Sequence, residues 1–148
     1  MKTYRAMVKR TIDASVETVY RVVSDMEEHR KILPKEFESF EVVQGGKGAG
    51  TVFKIVMNVL GTKTSNVMTI TEPEPGRVMK EEDAAAGLVT LWTLDPLEGG
   101  RRCELKLEST FRSKPGFAGF IERLLGPVVV RSIYRREMEL LQAYVTKG

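Results

Sequence analysis

The chain has 148 residues, with 23 Lys/Arg against 20 Asp/Glu, 42% hydrophobic residues and 29% charged ones. That length suits one domain spanning residues 1–148, and the composition excludes bulk disorder, collagen-like repeats and a disulfide-built scaffold. The lone cysteine, Cys103, has no partner for an internal bridge, which suits a reducing compartment. No apolar run follows the charged start Met1-Lys2-Thr3-Tyr4-Arg5, and the longest uncharged stretch, Ala84–Leu94, is far short of the ~20 residues a membrane span needs. These features predict a cytoplasmic protein without a transmembrane segment, a reading that leaves room for transient membrane contact.

Charge is unevenly spread. Residues 101–148 carry 10 Lys/Arg and 5 Asp/Glu, against 13 and 15 in residues 1–100. A basic C-terminal third could face an anionic partner. The simpler reading makes Arg131, Arg135 and Arg136 the solvated side of a helix, and no nucleic-acid partner is expected.

In chain order, residues 2–12 alternate, with Tyr4, Ala6, Val8 and Ile12 on one side, as in a half-buried strand. Ser15 or Asp13 can cap a helix in which Val16, Val19, Tyr20 and Val23 recur at helical spacing, and Ser24-Asp25 can cap a second short one that stops before Pro34. Strands are predicted over residues 37–43, 51–60, 64–71, 77–83, 88–94 and 102–111. The glycine-rich segment Gln44–Gly50 turns between two of them. The strand at 77–83 has the least clear pattern, and its acids Glu81, Glu82 and Asp83 read as solvated edge charges. The strand at 102–111 has the clearest, with Cys103, Leu105, Leu107, Ser109 and Phe111 opposite a charged face.

A short helix is predicted from Phe117 to Leu125, ending at Gly126. Pro127 suits the first turn of a new helix, in which Val130, Tyr134, Met138, Leu141 and Val145 form one apolar stripe and Val129, Ile133, Leu140 and Tyr144 a second. Strands joined by tight turns imply an antiparallel sheet, and the broad helix face has only that sheet to pack against.

Several motifs then carry a resemblance: Ile12–Tyr20; Ser24-Asp25-Met26-Glu27-Glu28-His29 running to Leu33-Pro34; Gly50-Thr51-Val52-Phe53; Trp92–Pro96; Gly99-Gly100-Arg101; and Leu124-Leu125-Gly126-Pro127-Val128. In order and spacing the chain resembles the START-like superfamily, also called SRPBCC or helix-grip, and most of all its polyketide cyclase/dehydrase and lipid-transport branch. The resemblance implies an α+β helix-grip fold: a curved antiparallel sheet of about six or seven strands wrapped around a long C-terminal helix, with two short helices after the first strand and a cavity between sheet and helix. Members hold apolar or amphipathic ligands there, and some catalyse cyclisation or dehydration. Two departures stand out: His29 where relatives often carry tryptophan, and the acidic run Glu81-Glu82-Asp83.

On this basis the expected function is binding of a hydrophobic or amphipathic small molecule, such as a lipid, an isoprenoid or a polyketide-like compound. The alternative is a cyclase or dehydratase acting on a polyketide-like substrate. Phe53, Ile55, Met57, Met68, Ile70, Trp92, Leu94, Leu105 and Leu107 are the expected concave-face ligand contacts, and Val130, Tyr134, Met138 and Leu141 those of the helix. Thr90, Ser109 and Tyr134 are the polar candidates to orient a ligand. The pattern does not set the oligomeric state.

No catalytic residue, cofactor or metal site is assigned. His29, the sole histidine, lacks ligand-spaced partners and reads as a partly exposed residue near the cavity entrance, with general-base action as its other reading. Gly45–Thr51 is no phosphate loop, because Lys47 is followed by glycine and no helix follows. No nucleophile elbow occurs. An enzyme would need a buried proton-transfer group facing the cavity, whereas a binder would not.

Overall fold

Residues 2–147 are described in a computed structural model. The chain begins with strand β1 (Thr3–Ile12), then helices α1 (Val16–Ser24) and α2 (Met26–His29), the latter extended by a single 3₁₀ turn over Arg30–Ile32. Six strands follow: β2 (Phe37–Gln44), β3 (Val52–Val59), β4 (Thr62–Glu74), β5 (Val78–Asp83), β6 (Leu88–Leu97) and β7 (Arg102–Arg112). The chain ends in helix α3 (Gly116–Thr146).

The two helix starts follow from their caps. Ser15 Oγ accepts from the Thr18 backbone N–H at 3.2 Å, and the Asp25 carboxylate accepts from that of Glu27 at 3.0 Å. Each satisfies a donor that the first helical turn leaves free.

The seven strands form one antiparallel sheet in the order β1-β7-β6-β5-β4-β3-β2. Consecutive strands from β2 to β7 are neighbours, and β1 closes beside β7, so β5 occupies the centre. Two register shifts in β2 bend that edge of the sheet. The concave face is apolar and α3 packs against it, nearest β1. This is the helix-grip architecture.

Helix α3 differs from the two helices expected from the sequence: it runs unbroken through Gly126-Pro127. Proline costs a helix one hydrogen bond, yet the helix continues on both sides of the residue. Gly126 is a point of close approach, since a Cβ there would lie 2.7 Å from the Tyr4 ring. The inward face carries Ile133, Tyr134, Glu137, Met138 and Leu141, whereas Leu140 is exposed. Nor is the basic side simply solvated, because Arg136 pairs with Glu36 at 2.6 Å. At the far end of α3, Gln142 and Arg102 both bond Asp13, at 2.7 Å each, tying the helix to the β1–α1 turn and the start of β7.

Candidate functional site

Between the concave face and α3 lies a cavity of about 810 Å³, within the usual ~300–1,000 Å³ range of small-molecule sites. Its wall includes Phe53, Ile55, Met57 and Met68 from β3 and β4, Thr90, Trp92 and Leu107 from β6 and β7, and Val130 and Tyr134 from α3. Leu60 and Leu125 stand at the mouth, and Leu60 is 91% exposed.

The other expected contacts do not reach the cavity. Ile70, Leu94, Leu105, Met138 and Leu141 are fully buried in solid core. The boundary is consistent across the elements: Met68 lines the space and Ile70 does not, Trp92 does and Leu94 does not, Leu107 does and Leu105 does not. On α3 it falls between Glu137 and Met138. Alternation fixes which face a side chain takes, but not how far the helix stands from the sheet at that level.

Where the cavity meets this core it becomes polar. His29, Glu81 and Glu137 line it, at 3%, 7% and 3% exposure. Two sequence expectations are corrected here. Glu81 is no edge charge, because β5 is the central strand and its pleat turns Met79 and Glu81 inward. His29 is not at the entrance, because α2 and its 3₁₀ extension tuck the ring against Trp92 (edge-on, centroids 5.2 Å apart) and Phe40. Glu137 was absent from the expected site, although its place three residues after Tyr134 puts it on the same helix face.

Hydrogen bonding fixes the state of His29. Its Nδ1 lies 2.7 Å from the Val23 carbonyl oxygen, which only accepts, so Nδ1 carries the proton. Nε2 is then the titrating atom, and it faces Glu137 Oε2 at 3.6 Å. Burial opposes charge on the ring, but the Glu137 and Glu81 carboxylates outweigh it and hold the pKa above the usual histidine value. For Glu81, burial favours the neutral form more than the His29 charge opposes it, and Glu137 adds to the effect, so its pKa is raised.

The three expected polar anchors largely satisfy one another. Thr90 Oγ1 and Ser109 Oγ are 2.6 Å apart, and Ser109 in turn hydrogen-bonds the Tyr134 hydroxyl. This network ties α3 to β6 and β7. Ser109 itself does not line the cavity. By contrast, the buried Trp92 Nε1 has no hydrogen-bond partner in the protein. It lies toward Glu81 and favours the ionised carboxylate, without the geometry of a hydrogen bond.

Other chemistry finds less support. Among the described residues, no group of three His, Cys, Asp or Glu side chains could hold a metal ion. Burial pushes the Cys103 thiol up to about 11, which leaves little thiolate for nucleophilic chemistry. The Gly45–Gly50 turn packs on the start of α2, where the Met26 N–H donates to Gly46 O and the Gly48 N–H donates to Ser24 O. Among the described residues, no helix is long and apolar enough to cross a membrane.

The fold recurs in solved structures. KanY, determined in solution by NMR, shares 27% identity with a TM-score of 0.84, covering 99% of each chain. A crystal structure of a Thermus thermophilus protein shares 23% identity with a TM-score of 0.81, covering 96% of this chain and 97% of that one. Zhui aromatase/cyclase from a Streptomyces species shares 17% identity with a TM-score of 0.78, covering 99% and 95%. Among curated proteins, none matches the sequence. The family described as "Polyketide cyclase / dehydrase and lipid transport" matches residues 4–146, nearly the whole sequence, and the chain belongs to that family.

Proposed function

We propose that the protein binds a hydrophobic or amphipathic small molecule of the lipid, isoprenoid or polyketide-like class in the cavity between sheet and α3. The observation that carries this reading is a space of about 810 Å³ with apolar walls that ends on His29, Glu81 and Glu137. Burying apolar ligand surface supplies the driving force, ~25 cal/mol per Å² before association costs. The polar end sets orientation. Family membership supports the same reading.

Titration with an environment-sensitive apolar dye, followed through emission of Trp92, tests it, because Trp92 is the only tryptophan. Saturable binding at one dye per chain is expected. Absence of saturable binding to folded protein overturns the reading.

The buried acid–base pair favours a second reading, a cyclase or dehydratase. His29 Nε2 faces Glu137 while Val23 holds the other ring nitrogen, an arrangement suited to moving a proton at Nε2. The discriminating comparison is Glu137→Gln. In a pure binder it alters stability and affinity alone. In an enzyme it lowers turnover of a polyketide-like substrate that still binds.

A further inference from the structure

We infer that the rim of the cavity mouth is a docking face for an anionic lipid bilayer. Apolar side chains from the β3–β4 hairpin and the start of α3 enter the acyl boundary, and the basic groups beside them meet lipid phosphates. The face lies outside the cavity, and its assignment does not require the proposed ligand.

Among the described residues, six large apolar side chains are more than half exposed, and all six lie here: Leu60 on the β3–β4 hairpin, and Phe117, Phe120, Leu124, Leu125 and Val128 on α3. Single exposed apolar residues are ordinary, whereas a cluster marks a contact surface. Phe117, Phe120, Leu124 and Val128 recur at three- and four-residue spacing, so they share one side of the helix, and the Phe117 and Phe120 rings lie 6.2 Å apart. Leu60 and Leu125 line the mouth, which brings hairpin and helix around one opening. Leu60 carries a second sign. Its backbone sits at φ 53, where leucine is strained and glycine or asparagine is the usual occupant. At 91% exposure, no packing within the chain offsets that strain.

Charge selects the occupant. From Phe111 to Arg131 the chain carries four basic residues, Arg112, Lys114, Arg123 and Arg131, against the single acid Glu122. Among the described residues, none of the four forms an ion pair. Glu122 accepts instead from the Lys114 backbone N–H at 2.9 Å. Arg112 and Lys114 border the mouth, and Arg131 continues the line of Phe120, Leu124 and Val128 along α3. A second copy of the chain would set these cations against their own counterparts. An uncharged partner would leave them unanswered. A bilayer with anionic headgroups answers both halves, since it takes apolar side chains at the acyl boundary and attracts Lys and Arg to its surface.

The test is flotation of the full chain with vesicles of phosphatidylcholine alone and with vesicles in which about one-third of the lipid is phosphatidylglycerol. The anionic vesicles are expected to bind at about tenfold lower lipid concentration than the neutral ones, and binding should weaken as salt rises. Lys114→Glu combined with Arg131→Glu should remove that difference. Phe117→Ser combined with Leu124→Ser should weaken anionic binding at least tenfold. Leu60→Asn should weaken it several-fold while the melting temperature holds or rises, because asparagine suits the left-handed position. Phe117→Trp should emit at shorter wavelength on binding, whereas Leu140→Trp, about 35 Å further along the helix, should not. Thermal unfolding checks that each variant stays folded. No flotation with anionic vesicles, equal binding to both kinds, or binding untouched by either double variant overturns the inference. So does a dimer in lipid-free solution that Phe117→Ser disperses, since a second copy then occupies the face. None of these outcomes bears on dye binding by the wild type, which reports on the cavity alone.

Discussion

His29 Nε2 and Glu137 Oε2 face each other at 3.6 Å, with both side chains 4% exposed. One comes from the short helix after β1 and the other from the middle of α3, so a single buried ion pair joins two elements about 100 residues apart in sequence. Removing Glu137 takes from the buried ring its Nε2 partner and one of the two carboxylates that favour its charge, and breaking a buried pair typically costs ~3–5 kcal/mol. Glu137→Leu should therefore destabilise the protein by about 3 kcal/mol or more. Its effect on His29 is read independently by NMR, where the sole histidine gives an unambiguous ring signal. Wild-type His29 should titrate above the ordinary histidine value, and the variant should titrate lower. An unchanged titration would mean that Glu137 does not hold the ring's charge.

Stability should depend on Glu81 with a definite sign. Its pKa is raised in the fold, so the folded protein holds this proton more tightly than the unfolded chain does. Its contribution is therefore full at acid pH and is lost as pH rises through the folded value. His29, also raised, acts in the same sense from about pH 6.5 upward. Asp13, Glu36, Glu38 and Asp83 have lowered pKa values and act oppositely at low pH. The wild type alone is therefore a poor readout, and the difference from Glu81→Gln, which keeps a neutral side chain, is the useful one. As pH rises above the ordinary glutamate value of 4.5, the glutamine variant should gain stability relative to wild type. Urea unfolding at several pH values measures it, and a flat or falling difference would contradict the assignment.

Gly126 offers a test in which two readings give opposite signs. If Gly126 were an ordinary interior position of the helix with no close neighbour, alanine would gain up to ~1 kcal/mol. In the structure an added Cβ meets the Tyr4 ring at 2.7 Å, so Gly126→Ala should cost about 1–3 kcal/mol. Pairing it with Tyr4→Leu should recover part of that loss. Thermal unfolding of the three variants decides the sign.

Leu105 and Leu107 are neighbours on one face of β7, yet only Leu107 borders open space. Leu107→Trp should extend into the cavity, remain folded and weaken dye binding at least tenfold. Leu105→Trp has nowhere to go and should lose about 1–3 kcal/mol. Equal destabilisation by both would mean the cavity is filled core.

Much of the frame was legible in the chain. The capping signals, Ser15 or Asp13 and then Ser24-Asp25, announced the two helix starts, of which the structure uses Ser15 and Asp25, and the alternation from Cys103 to Phe111 announced β7 and its inward face. The depth of the cavity was not legible, because Leu94, Leu105 and Leu141 carry the same periodic signal as residues that line it. Only the distance from helix to sheet separates them. The polar end was missed for a different reason. Glu81 sits in a strand with no clearly apolar face and Glu137 interrupts the apolar stripe of α3, and pattern alone assigns such carboxylates to solvent. The sheet order, which makes β5 central, reverses that assignment for Glu81. The close approach of Gly126 to Tyr4 likewise joins residues distant in sequence, which no local pattern reveals.

The most direct test of a cavity that receives a ligand with its polar group inward is the single indole N–H resonance of Trp92 in ¹⁵N-labelled protein, followed while 2-naphthol is titrated. Trp92 lines the cavity, so its indole signal reports on a ligand held there. The account predicts a saturable shift of the Trp92 indole signal, moving together with the amides of Thr90 and Met68. A Trp92 signal that stays fixed while shifts are confined to the exposed Phe117 and Leu124 side of α3 would contradict it.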